Sequence, residues 1–364
     1  MTKISESKIL FWLSLTGLTV KKQADLINTL GSARNLWDDF DKKSSVVREI
    51  AGQEHLGELR RYRSEEFIDA CLDKLKKDQI SVFTALNPLY PKELLQSEVG
   101  APSVFYYKGN IDLLSTVKIA VVGSRACTSY GREMTRKIAT TFAENDVTVV
   151  SGIATGIDTC AHESAMEAGG KTIAVLPCGH NNVSPVSSIK LVEKILASGG
   201  LVISEYKPTV GAMKFSFPER NRLISGLSKG VVVVEAGEKS GALITARCAL
   251  EQGREVFAVP GNLTSTRSVG CNNLLFEGAN FIRNGQDVLD FLSISSKSRQ
   301  EKKEIILDKE EKKLYSLLED GYKTFDELIE KSGLTPMETS EILLTMELNG
   351  IIVRTSSNTF DVKS

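Results

Sequence analysis

Residues 230–252 read GVVVVEAGEKSGALITARCALEQ, and they give the strongest indication of the fold class. Four consecutive valines without polar alternation predict a strand that is covered on both faces, as in a parallel sheet flanked by helices. The strand ends in a Gly/Ser turn, and the turn opens a helix predicted over 240–252. Backbone N–H groups at such a helix start attract anions, usually phosphate. The stretch therefore predicts an anion-binding loop at the end of a parallel strand.

A helix predicted over 218–228 precedes this strand and carries two arginines. Because Arg220 and Arg222 diverge by about 200° around a helix, we expect one to face a ligand and the other to make an internal salt bridge. Phe215 and Phe217 lie just before this helix. Base stacking and core packing are both open for these two rings, and core packing is the favoured interpretation.

Two further loops repeat the arrangement. After the strand predicted at 118–122, Gly123 permits a tight turn, Ser124 offers a hydroxyl donor and Arg125 offers a planar guanidinium suited to phosphate. A plain turn with a surface arginine is the alternative. The strand predicted at 147–150 is followed by SGIATGID. Three such loops on one sheet indicate a ligand with several phosphates.

The second loop also contains an acid and a base. We expect Asp158 to cap the following helix rather than act as a catalytic acid. His162 is interpreted as a core or capping residue with satisfied hydrogen bonds, because no nucleophile accompanies the pair. Cysteine–histidine neighbours at 160–162 and 178–180 lack the spacing of a structural zinc site.

The candidate DNA- or phosphate-binding residues lie in the three loops or beside the arginine-bearing helix. They are Gly123, Ser124, Arg125, Ser151, Gly152, Gly156, Lys214, Arg220, Asn221, Arg222, Gly237, Lys239, Ser240 and Gly241. Arg267 and the Asn272-Asn273 pair either complete the rim of the site or serve as ordinary loop and cap residues. No catalytic residue, metal or cofactor is expected.

An enzymatic alternative is a nucleotide hydrolase that acts on a phosphoribosyl group on the same sheet. Such a hydrolase would need Glu205 or Glu235 as its catalytic carboxylate. Its expected Pro-Gly-Gly-x-Gly-Thr loop is replaced here by AGEKSG at 236–241. A Walker A sequence is also missing, which disfavours an ATPase of that type.

Composition bounds the remaining classes. The chain has 364 residues, enough for two or three domains, and a net charge of −1, which argues against a histone-like binder. The six cysteines form no CxxC and are interpreted as reduced thiols of a cytoplasmic protein. No apolar run reaches ~18 residues, so no membrane span is expected. Residues 9–18 are interpreted as an amphipathic helix rather than a signal segment.

The predicted organisation has four parts. Residues 1–79 form a small helical domain of SAM or helix–hairpin–helix type, with helices predicted at 5–16, 19–30, 43–51 and 55–78. Residues 80–293 form an α/β domain, an extended Rossmann-like, doubly wound and mainly parallel sheet. Its strands are predicted at 80–83, 104–107, 118–122, 147–150, 172–176, 201–204, 231–235, 255–259 and 280–283.

A polar linker is predicted at 294–304, and a winged-helix-like domain at 305–364. In the latter domain, helices at 309–319, 324–331 and 336–348 precede a short hairpin. Because the domain carries many acidic residues, contact with a protein or modulation of a dimer is favoured over reading of duplex DNA.

The loop motifs together resemble the DNA-processing protein A (DprA/Smf) family. The resemblance covers about 80–290 and is carried by VVGSR at 121–125, SGIATGIDTCAH at 151–162, EY at 205–206, FPERNR at 217–222, EAGEKSGALITA at 235–246, ALEQGREVFAVPG at 249–261 and GCNN at 270–273. It implies a homodimer that binds single-stranded DNA, protects incoming DNA and loads the RecA recombinase during natural transformation. It also implies DNA contacts at Arg125 and in the region of Arg220 and Arg222.

The chain departs from the family pattern at one place. After Cys178-Gly179 the family commonly has an aromatic-Pro pair, a basic residue and a downstream Asn, whereas residues 182–188 read NVSPVSS. We therefore expect one edge of the binding site to be altered, with weaker affinity or with Lys190 as the replacement cation.

Overall fold

The computed structural model describes residues 4–91, 94, 101–294, 307–348, 351–356 and 358–362. The chain divides into two compact units, 1–297 and 298–364. The first unit contains the N-terminal helices and the whole large sheet. The predicted boundary between residues 79 and 80 stays a prediction, and most of the predicted linker lies outside the described residues.

The first unit is built on a sheet of nine strands. Helices α1–α6 precede the first strand of this sheet in the chain. They span Glu6–Ser14, Val20–Leu30, Ala33–Asp38, Ser44–Ala51, Gln53–Tyr62 and Glu65–Lys77. The strands β1–β9 span Ser81–Thr84, Val104–Gly109, Lys118–Val122, Thr148–Ser151, Thr172–Val175, Leu201–Ser204, Gly230–Val233, Glu255–Ala258 and Asn280–Phe281. Helices α7–α12 lie between β3 and β9 in the chain, and α13 follows β9. They span Ser129–Glu144, Ile157–Glu167, Ile189–Ala197, Ser216–Gly226, Ala242–Glu251, Val269–Phe276 and Gly285–Phe291.

The strand order is β1-β2-β6-β5-β4-β3-β7-β8-β9. All neighbours from β6 to β9 are parallel, while β2 pairs antiparallel with β6 and with β1. From β3 the chain winds outward through β4, β5 and β6, and then returns to the other side of β3 as β7. The order therefore reverses between β3 and β7, which is where open α/β sheets bind ligands.

The valine run of β7 shows why both faces are covered. Val231 and Val233 pack into the apolar cluster on one face, while Val232 and Val234 pack into the cluster on the other. All four side chains are at most 1% exposed. Helices on both faces of a mainly parallel sheet confirm the predicted doubly wound α/β class.

The N-terminal helices pack against the antiparallel edge of the sheet. The apolar residues 9–13 of α1 are all buried, and their cluster includes Val104 and Tyr106 of β2. The prediction of a single helix over 55–78 is wrong. The chain breaks it at Arg63-Ser64, because the Ser64 hydroxyl accepts from the backbone N–H of Phe67 and so caps α6.

The second unit has three helices and a hairpin. Helices α14–α16 span Lys309–Glu319, Phe325–Ser332 and Pro336–Leu348, and the antiparallel strands β10 and β11 span Ile352–Ser356 and Thr359–Val362. Capping boxes begin α14 and α15. The unit has its own apolar cluster, which includes Leu314, Leu328 and Phe360. The predicted winged-helix elements are confirmed.

Candidate nucleic-acid interface

The loops that follow β3 and β7 meet at the switch point of the sheet. The backbone N–H of Ser124 donates to the carbonyl of Glu235 over 2.7 Å. A Cβ atom at Gly123 would lie 2.9 Å from that carbonyl and 2.6 Å from the Ile157 side chain. Only glycine permits this approach, so the two loops are held side by side.

An open cleft of about 720 Å³ lies at this edge of the sheet. Its walls come from the β3 loop, the start of α8, the start of α10 and the β7 loop. Among the predicted site residues, those that line it are Gly123, Ser124, Arg125, Lys214, Arg220, Asn221, Gly237, Lys239, Ser240 and Gly241. The described lining therefore brings together candidates from distant parts of the sequence.

Arg125 and Phe217 form one wall of the cleft. The Arg125 side chain is exposed, and its guanidinium carbon lies 5.3 Å from the centroid of the Phe217 ring. A guanidinium over an aromatic face is held by a cation–π contact while its N–H groups stay available. Phe215 is 56% exposed, so the favoured core-packing interpretation is wrong for that ring.

Arg220 and Asn221 lie deeper. Arg220 is only 4% exposed, its Nε donates to Asn221 Oδ1 over 3.2 Å and its Nη1 donates to the Val175 carbonyl. Asn221 Nδ2 in turn donates to the Gly241 carbonyl over 3.3 Å. Burial lowers the pKa of Arg220, and the negative charge of Asp158 opposes that shift. These bonds connect α10 to the β7 loop at the base of the cleft.

Arg222 faces away from the cleft lining. It forms an ion pair with Glu205, and both side chains are 7% exposed. The helical divergence of the two arginines thus has the predicted outcome, with Arg220 toward the cleft and Arg222 in an internal salt bridge. A DNA contact at Arg222 stays a prediction that this placement does not favour.

Three predicted residues of the second loop lie behind the cleft. The Ser151 hydroxyl donates to the Val121 carbonyl over 2.6 Å, and the Gly152 carbonyl accepts from His162. Gly156 has φ +87°, and a Cβ there would lie 2.3 Å from the Ser124 carbonyl. These residues support the loops, while Ala154 and Asp158 of the same loop reach the lining.

The capping role predicted for Asp158 is wrong, because Gly156 is the N-cap of α8. Asp158 lies inside the first turn, where its carboxylate accepts from the Ala154 N–H over 3.3 Å. A carboxylate there still stabilises the positive end of the helix dipole. Burial raises the pKa of Asp158, and the nearby Arg220 charge opposes that shift.

His162 is fully buried with both ring nitrogens engaged, as its interpretation as a core residue predicts. Nε2 lies 2.7 Å from the Gly152 carbonyl and Nδ1 lies 2.5 Å from the Thr172 hydroxyl oxygen. Because a carbonyl oxygen only accepts, Nε2 carries the proton of the neutral ring. Burial lowers the pKa of His162 from its ordinary 6.5 to about 4.

This shift predicts an acid-dependent loss of stability. Between pH 6.5 and 4 the unfolded chain binds a proton at His162 and the folded chain does not. As the pH decreases through this range, His162 therefore lowers the free energy of unfolding by about 1.4 kcal/mol for each pH unit. Urea unfolding at several pH values measures this free energy, and its decline with falling pH should be less steep by this amount in His162→Gln. Equal slopes in the two proteins would contradict the assignment.

The β7 loop forms an open wall of the cleft. The Ser240 hydroxyl oxygen accepts from the Ala242 N–H over 3.3 Å, at the start of α11. A Cβ at Gly241 would meet nothing within 4 Å, and Lys239 is exposed. The loop therefore presents its backbone and one cation to the solvent-filled cleft.

Sequence reasoning missed part of the lining. Ile244 and Thr245 on α11 reach the cleft. Their spacing of three and four residues from Gly241 places them on the same helical face, and this signal was sufficient to identify them. Arg267, predicted either to complete the rim or to be an ordinary loop residue, also lines the cleft, and its guanidinium donates to the Ala126 carbonyl.

The altered family motif lies beside the second loop. The Ser188 hydroxyl donates to the Ile153 carbonyl over 2.6 Å, so this segment supports the loop that carries Ala154. Lys190 is exposed but does not contribute to the cleft lining. A role for Lys190 as replacement cation stays a prediction.

The cleft is strongly biased in charge. Its described lining holds one carboxylate, that of Asp158, and the basic side chains of Arg125, Lys214, Arg220, Lys239 and Arg267. All of these cations except Arg220 are exposed. A concave surface lined by one sign of charge focuses the field and concentrates ligands of the opposite sign. The nearly neutral chain thus concentrates positive potential at one place.

Metal sites, disulfides and membrane spans have features that can be looked for in the part of the chain that the structure describes. Its His, Cys, Asp and Glu side chains form no group of three suited to a metal ion. All six cysteines are free thiols. Within the same residues, no helix combines the length and apolarity that crossing a membrane requires.

Comparisons with known proteins agree with this geometry. The model of the family described as DNA recombination-mediator protein A matches residues 81–293, and the DprA winged helix domain matches residues 298–358. The DNA processing protein DprA of Streptococcus pneumoniae is 47% identical over 208 residues, which is 57% of this chain and 72% of that protein. Protein Smf of Escherichia coli is 41% identical over 225 residues, 62% of this chain and 60% of that protein.

Solved structures show the same fold. The X-ray structure of DprA from Streptococcus pneumoniae superposes with a TM-score of 0.67 at 36% identity, covering 79% of this chain and 98% of that one. DNA processing protein A from Helicobacter pylori, described for its single-stranded DNA binding mode, superposes with a TM-score of 0.53 at 34% identity. The match covers 59% of this chain and 96% of that one. With a family model matching more than half of its length and these relatives, the chain belongs to the DNA recombination-mediator protein A family, also known as DprA/Smf.

Proposed function

We propose that the cleft at the β3–β7 switch point binds single-stranded DNA. The observation that carries this proposal is the convergence of two loop backbones and five basic side chains around one cleft with a single carboxylate. The Helicobacter pylori relative, whose structure is described by its single-stranded DNA binding mode, supports the choice of ligand.

The chemistry of the lining suits a sugar-phosphate strand. Arg125, Lys239 and Arg267 are exposed and offer charge-assisted hydrogen bonds to phosphate oxygens. The Ser124 hydroxyl oxygen accepts from the Ala126 N–H over 3.2 Å, which leaves its proton free to donate. Phe217 offers a ring face beside these groups. Such contacts hold phosphates and stack bases without reading sequence, so low sequence preference is expected.

The enzymatic alternative finds little support in the site. Glu205 is paired with the buried Arg222, and Glu235 accepts from the Thr128 hydroxyl over 2.5 Å. Neither carboxylate contributes to the cleft lining. A hydrolase would need one of them to reach a sugar. Incubation with nucleoside monophosphates, followed by chromatography for free base, separates the two functions, since only the hydrolase releases base.

The biological role that we propose is that of a recombination mediator in the cytoplasm. In this role a homodimer protects incoming single strands and loads RecA during natural transformation. The family's description as a recombination mediator supports it. The direct test is RecA-dependent strand exchange with and without this protein. A mediator accelerates the reaction, and a protein that only binds DNA competes with RecA and slows it.

Salt should weaken the proposed binding in a defined way. Each phosphate contact on a single strand contributes a slope of about −0.7 in log affinity against log salt concentration. With roughly four phosphate contacts in the cleft, we expect a slope of about −3. Fluorescence anisotropy with a labelled oligonucleotide measures it. The matched duplex is the control, and an affinity independent of salt or equal for the two ligands would contradict the proposal.

A further inference from the structure

The loop after β3 has basic groups on both sides of its exit from the cleft. On one side the Arg267 guanidinium donates to the Ala126 carbonyl. On the other side Arg132 Nη1 donates to the Cys127 carbonyl over 3.1 Å. Arg132 does not line the cleft, although it is fastened to a residue only two positions beyond Arg125. Positive charge therefore continues past the rim onto α7.

Helix α7 extends this charge along its exposed face. Arg132 and Arg136 are both exposed and stand one turn apart, about 6 Å along the helix axis. The buried face of α7 includes Ile138 and Phe142, and Ala139 is buried on the side of the helix that carries the two arginines. The two guanidinium groups therefore form an exposed row at the edge of the buried face, and this row begins next to the loop that leaves the cleft.

Two carboxylates on α7 and on the adjoining helix α8 are already paired with lysines. Glu133 pairs with Lys137 over 3.1 Å, and Glu163 of the adjoining helix α8 pairs with Lys194 over 2.9 Å. Within the described part of the chain, no carboxylate lies within 4.0 Å of the Arg136 guanidinium. The row therefore keeps its positive charge for an external anion.

We propose that Arg132 and Arg136 form a second phosphate-binding segment, which carries a single strand out of the cleft along α7. This inference rests on the proposed function of the cleft. A strand that fills the cleft leaves across Ala126 and Cys127, and its next phosphates meet Arg132 and then Arg136. Because the cleft alone holds only a few nucleotides, this segment contributes only to strands that are long enough to reach it.

The test compares Arg136→Glu with Lys137→Glu on two lengths of oligothymidine. Both substitutions are on α7, both positions are exposed and both change the net charge by the same amount. Lys137, however, points about 100° away around the helix and is already paired with Glu133. Affinities of the full chain are measured by anisotropy for a strand of about five nucleotides and for one of about twenty-five, a range that brackets the known sites of single-strand binders. Thermal melting checks that both variants fold like the parent.

We expect Arg136→Glu to lower the affinity for the long strand about tenfold and to make its salt slope less steep by about 0.7, one phosphate contact. Its affinity for the short strand and both affinities of Lys137→Glu should stay within about twofold of the parent. Equal losses in the two variants, equal losses at both lengths, or no loss at all would overturn the α7 segment while leaving the cleft intact. Failure of the parent chain to bind either strand would instead overturn the proposed function.

Discussion

Replacing Arg125 by glutamate is expected to lower the affinity for single-stranded DNA by about a hundredfold. The substitution removes a charge-assisted hydrogen bond, worth about 1.5–3 kcal/mol, and adds repulsion toward the phosphates. It also removes the cation that lies over the Phe217 ring. Titration of a labelled oligonucleotide at one fixed salt concentration measures the loss. The fold should persist, because the Arg125 side chain is exposed.

The matched control for this variant is Lys229→Glu. Lys229 is also exposed and changes the net charge equally, but it precedes β7 at the amino end of the parallel strands. The cleft lies at their carboxyl ends, so only long-range electrostatics connects Lys229 to it. We expect less than about a twofold effect at physiological salt. If Arg125→Glu binds as tightly as the parent, Arg125 has no role in DNA binding.

The second large effect concerns stability. Glu205→Ala strips the Arg222 guanidinium of its carboxylate partner in a place where both side chains are only 7% exposed. Removing one member of a buried ion pair costs about 3–5 kcal/mol, because a buried charge remains without that compensation. We expect a fall of this size in the free energy of unfolding, measured by urea denaturation.

Two comparisons interpret that result. Glu163→Ala removes one member of the exposed pair with Lys194, and should cost less than about 1 kcal/mol. Combining Glu205→Leu with Arg222→Met should be more stable than Glu205→Ala, since no buried charge remains. Because neither Glu205 nor Arg222 lines the cleft, DNA affinity under native conditions should change by less than about threefold. A stability loss below 1 kcal/mol in Glu205→Ala would show that the pair is not important for folding.

The sheet and its loops could be predicted because their signals are local. An unbroken valine run such as 231–234 favours a strand buried on both faces, and Gly123 and Gly241 mark the turns that follow strands. The opposite orientations of Arg220 and Arg222 followed from helical geometry alone. Grouping these residues at one cleft required only that β3 and β7 be neighbours, which the doubly wound fold supplies.

Most errors arose where contacts between residues distant in sequence determine the local structure. One error was local, because the Ser64 hydroxyl accepts from the Phe67 N–H and so begins a new helix where the apolar periodicity continues. Aspartate is a residue type favoured at N-caps, so Asp158 is a reasonable candidate. The tight packing of Gly156 against Ser124 instead places the start of α8 upstream of it. The exposure of Phe215 and the internal bonds of Gly152 depend on neighbours distant in sequence. No local pattern contains that information.

Three hydrogen bonds fasten the loops around the cleft, and they bear on the rate at which a ligand associates. They are the bond between Ser124 and Glu235, that between Thr128 and Glu235, and that between Arg267 and Ala126. For the DNA binding that we propose, these bonds imply that the two loops are already held together before a strand arrives, so binding does not require them to become ordered. Association is then limited by diffusion and electrostatic attraction. On the same proposal, residence time increases with the number of nucleotides that the strand engages, so longer fragments are expected to stay bound for longer.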